Sequence, residues 1–144
     1  MKKIILSILT GLLLFFTACD TVKKFPTNTS GGLFSLNGSW KLTTTTDNNA
    51  QVGTIVSVAP AIASGFVTNL ENNSYCYRSG DEAWKIISVK INGGFTIKLL
   101  TSACNASTVY KEGEITVLTN DMIRINSKNN VEQPLVQEWA RITK

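Results

Sequence analysis

Residues 84–101, Trp84-Lys85-Ile86-Ile87-Ser88-Val89-Lys90-Ile91-Asn92-Gly93-Gly94-Phe95-Thr96-Ile97-Lys98-Leu99-Leu100-Thr101, decide the fold class. Two runs of β-branched, aromatic and aliphatic residues flank Asn-Gly-Gly, and these turn residues supply the positive φ that a tight hairpin needs. In the second run Phe95, Ile97 and Leu99 fall on one face and Thr96 and Lys98 on the other. That is the period of a strand with one buried and one wet side. Working outward, Asp47-Asn48-Asn49, Glu71-Asn72-Asn73, Ser79-Gly80-Asp81, Glu112-Gly113, Thr119-Asn120-Asp121 and Lys128-Asn129-Asn130 are turn signals between short runs rich in Thr, Val, Ile, Tyr and Trp. The strands expected from this punctuation are 38–46, 51–58, 65–70, 74–78, 83–91, 95–101, 107–111, 114–118, 122–127 and 135–143. Ile123 and Ile125 alternate with Arg124 and Asn126 in the same way. No stretch has a convincing helical period, although Pro60 suits the first position of a short turn in 59–64. The pattern implies an all-β antiparallel domain, a barrel or a sandwich.

The chain has 144 residues, room for one domain, with 43% hydrophobic and 17% charged residues. It contains no histidine, which excludes Ser-His-Asp and Cys-His catalysis and histidine-ligated zinc or haem. Met1-Lys2-Lys3 followed by the apolar run Ile4–Phe16 is a secretory signal pattern, too short for a bilayer-spanning helix. Phe16-Thr17-Ala18-Cys19 resembles the bacterial lipobox, in which the cysteine receives diacylglycerol, the leader is cut and the new amino terminus is acylated. The resemblance implies lipid attachment at Cys19, anchorage to a membrane of the bacterial cell envelope and a domain outside the cytoplasm. Asp20 resembles an inner-membrane retention residue in enteric bacteria, while other lineages sort differently, so the choice between inner and outer membrane stays open. Loss of Lys2 and Lys3 with the leader leaves 12 basic against 10 acidic side chains, +2 rather than +4. Scattered lysines at that charge give no nucleic-acid footprint. The expected organisation is a leader over 1–18, a lipidated and flexible Gly/Ser/Thr-containing tether over 19–35, and the β domain over 36–144.

With Cys19 lipidated, Cys76 and Cys104 remain. Outside the cytoplasm they are expected to form a structural disulfide, with two separate buried thiols or a redox pair as the alternatives. Neither has a CxxC spacing or a basic activator. Glu112 and Glu114 are read as two solvated acids flanking a turn at Gly113 rather than as an acid–base pair. No phosphate loop, metal loop or nucleophile elbow is present, so the expectation is a non-enzyme with no cofactor and no metal.

Gly38-Ser39-Trp40 opens the domain and Trp139-Ala140-Arg141 nearly closes it. A Gly-x-Trp on the first strand with an Arg late in the last resembles the calycin group, above all the lipocalin-like domains of small Bacteroidetes lipoproteins. The resemblance implies an up-and-down antiparallel β-barrel of about eight strands, with Trp40 at its closed end under Arg141 as structural residues. The Thr-Asp-Tyr motif of true lipocalins, the Arg-x-Tyr of the intracellular relatives and their two-helix lid are absent, so no ligand identity carries over. The function expected is binding of a small hydrophobic molecule in the barrel by a monomer, with Trp84, Phe66, Phe95 and Tyr77 as candidate lining residues. The alternative for such large apolar residues is simple core packing, which is the commoner role of buried aromatics. The alternative is a protein-interaction or inhibitor module of the envelope, acting through loops 59–64, 102–106 or 127–134.

Overall fold

The computed structural model describes residues 34–47, 49–71, 76–91, 93–104, 107–128 and 134–143. Eight strands, β1 (Gly38–Thr45), β2 (Ile55–Ala59), β3 (Ser64–Asn69), β4 (Glu82–Val89), β5 (Phe95–Ser102), β6 (Val109–Thr119), β7 (Met122–Lys128) and β8 (Pro134–Thr143), follow one another around the sheet. Every neighbouring pair is antiparallel, and β8 returns to pair with β1, closing the barrel. Closure leaves no unpaired sheet edge. This up-and-down topology is consistent with a lipocalin-like fold.

The 84–101 hairpin forms as its residues require. Lys90 donates its backbone N–H to Gly94 O at 2.7 Å, and Gly93 takes φ 86° between them. A register shift between Ile86 and Ser88 marks a bulge at exposed Ile87, after which Val89 pairs with Phe95. Phe95, Ile97 and Leu99 all face inward and are buried, whereas Lys98 is exposed. Pro60 opens a single 3-10 turn, Pro60–Ile62, between β2 and β3.

Four sequence expectations change. Residues 107–111 and 114–118 are one strand, β6, and Glu112-Gly113-Glu114 lies inside it rather than at a turn. Gly113 pairs with Ile97 on one side and Ser127 on the other. A Cβ there would sit 3.1 Å from the backbone oxygen of Asn126, so the glycine serves the close approach of β7. Strand β2 begins at Ile55 instead of residue 51, because Asn49–Gln51 forms a 3-10 turn whose Gln51 O accepts from Thr54 Oγ1 at 2.6 Å. Residues 76–78 are not a strand: Cys76 is tied to Cys104, and Tyr77 is turned onto the outside of β5. Finally Phe34, on the tether side of the expected boundary, is buried in the core with 3% exposure. Leader, tether and Cys19 lie outside the described residues.

Candidate functional site

Up-and-down connectivity gives the barrel two unlike ends. At the Trp40 end, β1 begins and the β2–β3, β4–β5 and β6–β7 turns lie. At the disulfide end, β1 runs into β2, β3 into β4 and β5 into β6 through longer connections.

At the Trp40 end the segment before β1 lies across the barrel as a plug. Phe34 and Leu36 are buried, and Phe34 packs on Trp40 and Phe95 with ring centroids 6.2 Å apart in each case. Trp40 donates Nε1–H to Leu36 O at 2.8 Å. Arg141 lies over the Trp40 ring, its guanidinium carbon 4.1 Å from the centroid, and donates from Nη1 to Asn37 O and from Nη2 to Ser35 O. Its side chain is 8% exposed and sits 3.6 Å from Asp121. Burial pushes the guanidinium below its ordinary value and Asp121 opposes that shift. It remains a cation throughout the physiological range. The Trp40 and Arg141 hydrogen bonds to Leu36, Asn37 and Ser35 thus secure the plug.

The interior between the ends is filled with side chains. Trp40, Leu42, Val56, Trp84, Ile97, Ile123 and Ile125 are 0% exposed, so water touches none of them. An eight-stranded barrel holds either its own side chains or one small ligand, and this one holds its side chains. Trp84 meets Trp139 edge-on at 4.8 Å and lies across Gly65, where a Cβ would come within 3.2 Å of Trp84 Cε3 and 2.9 Å of Val56 Cγ1. Toward the disulfide end the filling turns polar. Trp139 Nε1 donates to Gln137 Oε1 at 3.2 Å, and Gln137 Nε2 donates to Gln51 Oε1 at 3.1 Å. Trp84 Nε1 is buried with no hydrogen-bond partner among the described residues.

The four candidate lining residues are not brought to one place. Trp84 is mid-barrel and Phe95 lies against Phe34 at the Trp40 end. Phe66 pairs with Ser57 and Glu82 on the outer wall and is half-buried. Tyr77 belongs to a second, external cluster with Leu100 and Ala103, against which Leu70 and Tyr110 pack.

That external cluster organises the disulfide end. Cys76, in the β3–β4 connection, is bonded to Cys104 after β5, with Cα atoms 5.0 Å apart. Tyr77 donates its hydroxyl to Leu100 O and Tyr110 to Glu82 O, both at 2.8 Å. Lys85 Nζ stands 4.2 Å from the Tyr110 ring centroid and 3.3 Å from Glu82 Oε2. The hydrogen bond to Glu82 holds the Lys85 ammonium above the ordinary lysine value; burial acts the other way, and Tyr110 reinforces the rise. Both connections are thereby fixed to the outer wall. Loop 59–64 lies at the opposite end, and residues 129–133 fall outside the described set.

Glu112 and Glu114 share the outer face of β6, and Glu114 is paired with Lys90. Among the described residues no group of three or more acidic or cysteine side chains could hold a metal ion, and no helix is long and apolar enough to cross a membrane. Sequence reasoning passed over Gln51 and Gln137. Gln137 had a signal, since it falls in the inward phase between Leu135 and Trp139. No family model matches the chain, and neither a curated protein nor a solved structure matches it.

Proposed function

We propose that this chain is a monomeric, lipid-anchored protein of the bacterial cell envelope, of lipocalin-like (calycin) type. Its filled barrel is a rigid scaffold, and its disulfide end engages another envelope protein. One observation carries the reading: a disulfide and a separate buried cluster fix two connections at one end of a barrel whose interior already holds its own side chains. A bond of that kind persists in an oxidising compartment, which supports a domain outside the cytoplasm, held by lipid on Cys19. Fixing loops before binding lowers the ordering cost of an interface. The exposed residues beside the bridge, Arg78, Ser79 and Val109, are where such a partner would sit.

The test places the photocrosslinker p-benzoylphenylalanine at Arg78 in the full chain in living cells, with Thr116 on the outer wall of β6 as control. The reading predicts one discrete protein adduct from position 78, none from 116, and loss of the adduct in the Cys76→Ser/Cys104→Ser variant. Equal adducts from both positions, or none from 78, overturn it.

One observation favours a second reading, a carrier of a small hydrophobic molecule. Trp84 Nε1 is a buried donor with no acceptor among the described residues, and such groups cost stability unless something meets them. A largely apolar molecule with one hydrogen-bond acceptor would supply the partner if the interior opened. Titration with a long-chain fatty acid, followed through the Trp84 indole N–H resonance, checks this. A saturable shift confined to Trp84 and Trp139 favours the carrier, and an unmoved resonance removes it.

A further inference from the structure

Seven large apolar side chains are exposed among the described residues, and five of them, Ile62, Ile87, Ile91, Met122 and Ile142, lie at or near the Trp40 end. Single exposed apolar residues are ordinary on a soluble surface, but grouped ones mark an interaction site. Ile62 is in the β2–β3 turn and Ile91 at the tip of the β4–β5 hairpin, 61% and fully exposed respectively. Ile87 is exposed at the β4 bulge; the preceding residue, Ile86, donates its N–H to Ala63 O, which ties this part of β4 to the β2–β3 turn that carries Ile62. Strand β4 stops pairing with β3 at Lys85 but continues along β5 to Val89, so the hairpin tip carrying Ile91 projects past its neighbour. Met122 begins β7 and Ile142 stands near the end of β8, on another part of the rim.

We propose that this rim docks on the surface of a lipid bilayer, so that the barrel stands on the membrane with its disulfide end outward. The inference rests on lipid attachment at Cys19. Three observations select a bilayer as the occupant. The chain runs into the barrel at this same end through Phe34, with only 14 residues between it and Cys19, a tether of at most about 50 Å when extended. The five side chains come from two separate parts of the rim, an arrangement that suits a plane rather than a groove. The described charged groups at the rim are neutralised by partners, Lys90 with Glu114 and Arg141 with Asp121, so apolar contact requires no unpaired charge to leave water. A short tether also raises the effective concentration of the rim at the membrane, so weak apolar contacts suffice.

The full chain, processed and purified from bacterial membranes, is the test material. It is labelled with an environment-sensitive fluorophore at Ile91→Cys or, as control, at Val109→Cys on the disulfide end. Each sample is reconstituted in vesicles of phosphatidylethanolamine and phosphatidylglycerol (3:1) with or without brominated lipid, and intact mass reports acylation of Cys19. The proposal expects acylated chain and at least threefold stronger quenching at 91 than at 109. It also expects that difference to vanish when Ile62→Ser and Ile87→Ser are added. Acylated chain with equal, water-like signals at both positions overturns the docking and leaves the anchor standing. A chain without acyl mass overturns the anchor and the docking with it.

Discussion

Both ends of the barrel are covered, but in opposite senses. The plug at the Trp40 end is drawn inward: Phe34 and Leu36 join the main core, and Arg141 reaches more than a hundred residues along the sequence to hold Ser35 and Asn37. The cover at the disulfide end is drawn outward. Tyr77, Leu100 and Ala103 form their own cluster on the outer wall, and Leu70 touches both clusters. Its attachment is covalent rather than cationic. The first arrangement completes a core, whereas the second builds a surface. A barrel that needed only closure would have no use for the second cluster, and this asymmetry makes the disulfide end the candidate for recognition.

The difference can be broken by removing each attachment in turn. Cys76→Ser/Cys104→Ser opens a cross-link spanning 28 residues, a loss of roughly 3–4 kcal/mol if the bridge acts on the unfolded chain. Urea unfolding measures the total. Hydrogen exchange should show the Gly80 and Ser107 amides losing protection early while the Arg141 amide keeps its own. Equal loss at both ends would mean that the ends are one unit. Arg141→Ala removes the stacking on Trp40 and leaves three backbone carbonyls, those of Ser35, Asn37 and Asn120, to find water, about 2–3 kcal/mol in urea unfolding. Arg141→Lys recovers little, since a point charge cannot serve the three carbonyls and the ring together.

Gly65→Ala sharpens the description of the interior. A methyl group 2.9 Å from Val56 Cγ1 and 3.2 Å from Trp84 Cε3 forces the indole to shift, and the thermal midpoint should fall by the equivalent of about 1–3 kcal/mol. A neutral result would show slack beside Trp84 and strengthen the carrier reading.

The smallest expected effect concerns pH. The folded state raises the Lys85 pKa through Glu82, with Tyr110 adding to it. Its stabilising share is therefore fully present below the unfolded value of 10.5 and is lost as pH rises through the folded value. The difference in melting temperature between the parent chain and Lys85→Gln should be constant from pH 6 to 9 and shrink at pH 11.

Much of this was readable because it is local or periodic. The alternation of Phe95, Ile97 and Leu99 and the Asn-Gly-Gly turn define a hairpin without reference to anything distant. Trp40 and Arg141 stand near the two ends of the domain sequence, where antiparallel closure brings them together. Cys76 and Cys104 were the two cysteines left to pair. The misreadings have the opposite character. Gly113 between two glutamates has the composition of a turn, and only the approach of β7 explains why it lies within a strand. Phe34 follows Gly31-Gly32 and resembles tether, yet it packs under a tryptophan that is adjacent only once the barrel has closed. Leu100 and Tyr77 gave no sign that they face each other outside the barrel. Ile62, Ile87 and Ile91 form a group only when the topology puts their turns at one end.

The central claim is that the interior is filled by the chain itself and that the protein acts through its outside. Native mass spectrometry of the chain released gently from bacterial membranes tests it most directly. The account predicts the mass of the processed chain with its Cys19 acyl groups, two hydrogens light for the Cys76–Cys104 bond, and no further small molecule. A stoichiometric mass of a few hundred daltons that leaves on denaturation would contradict it and make the barrel a carrier.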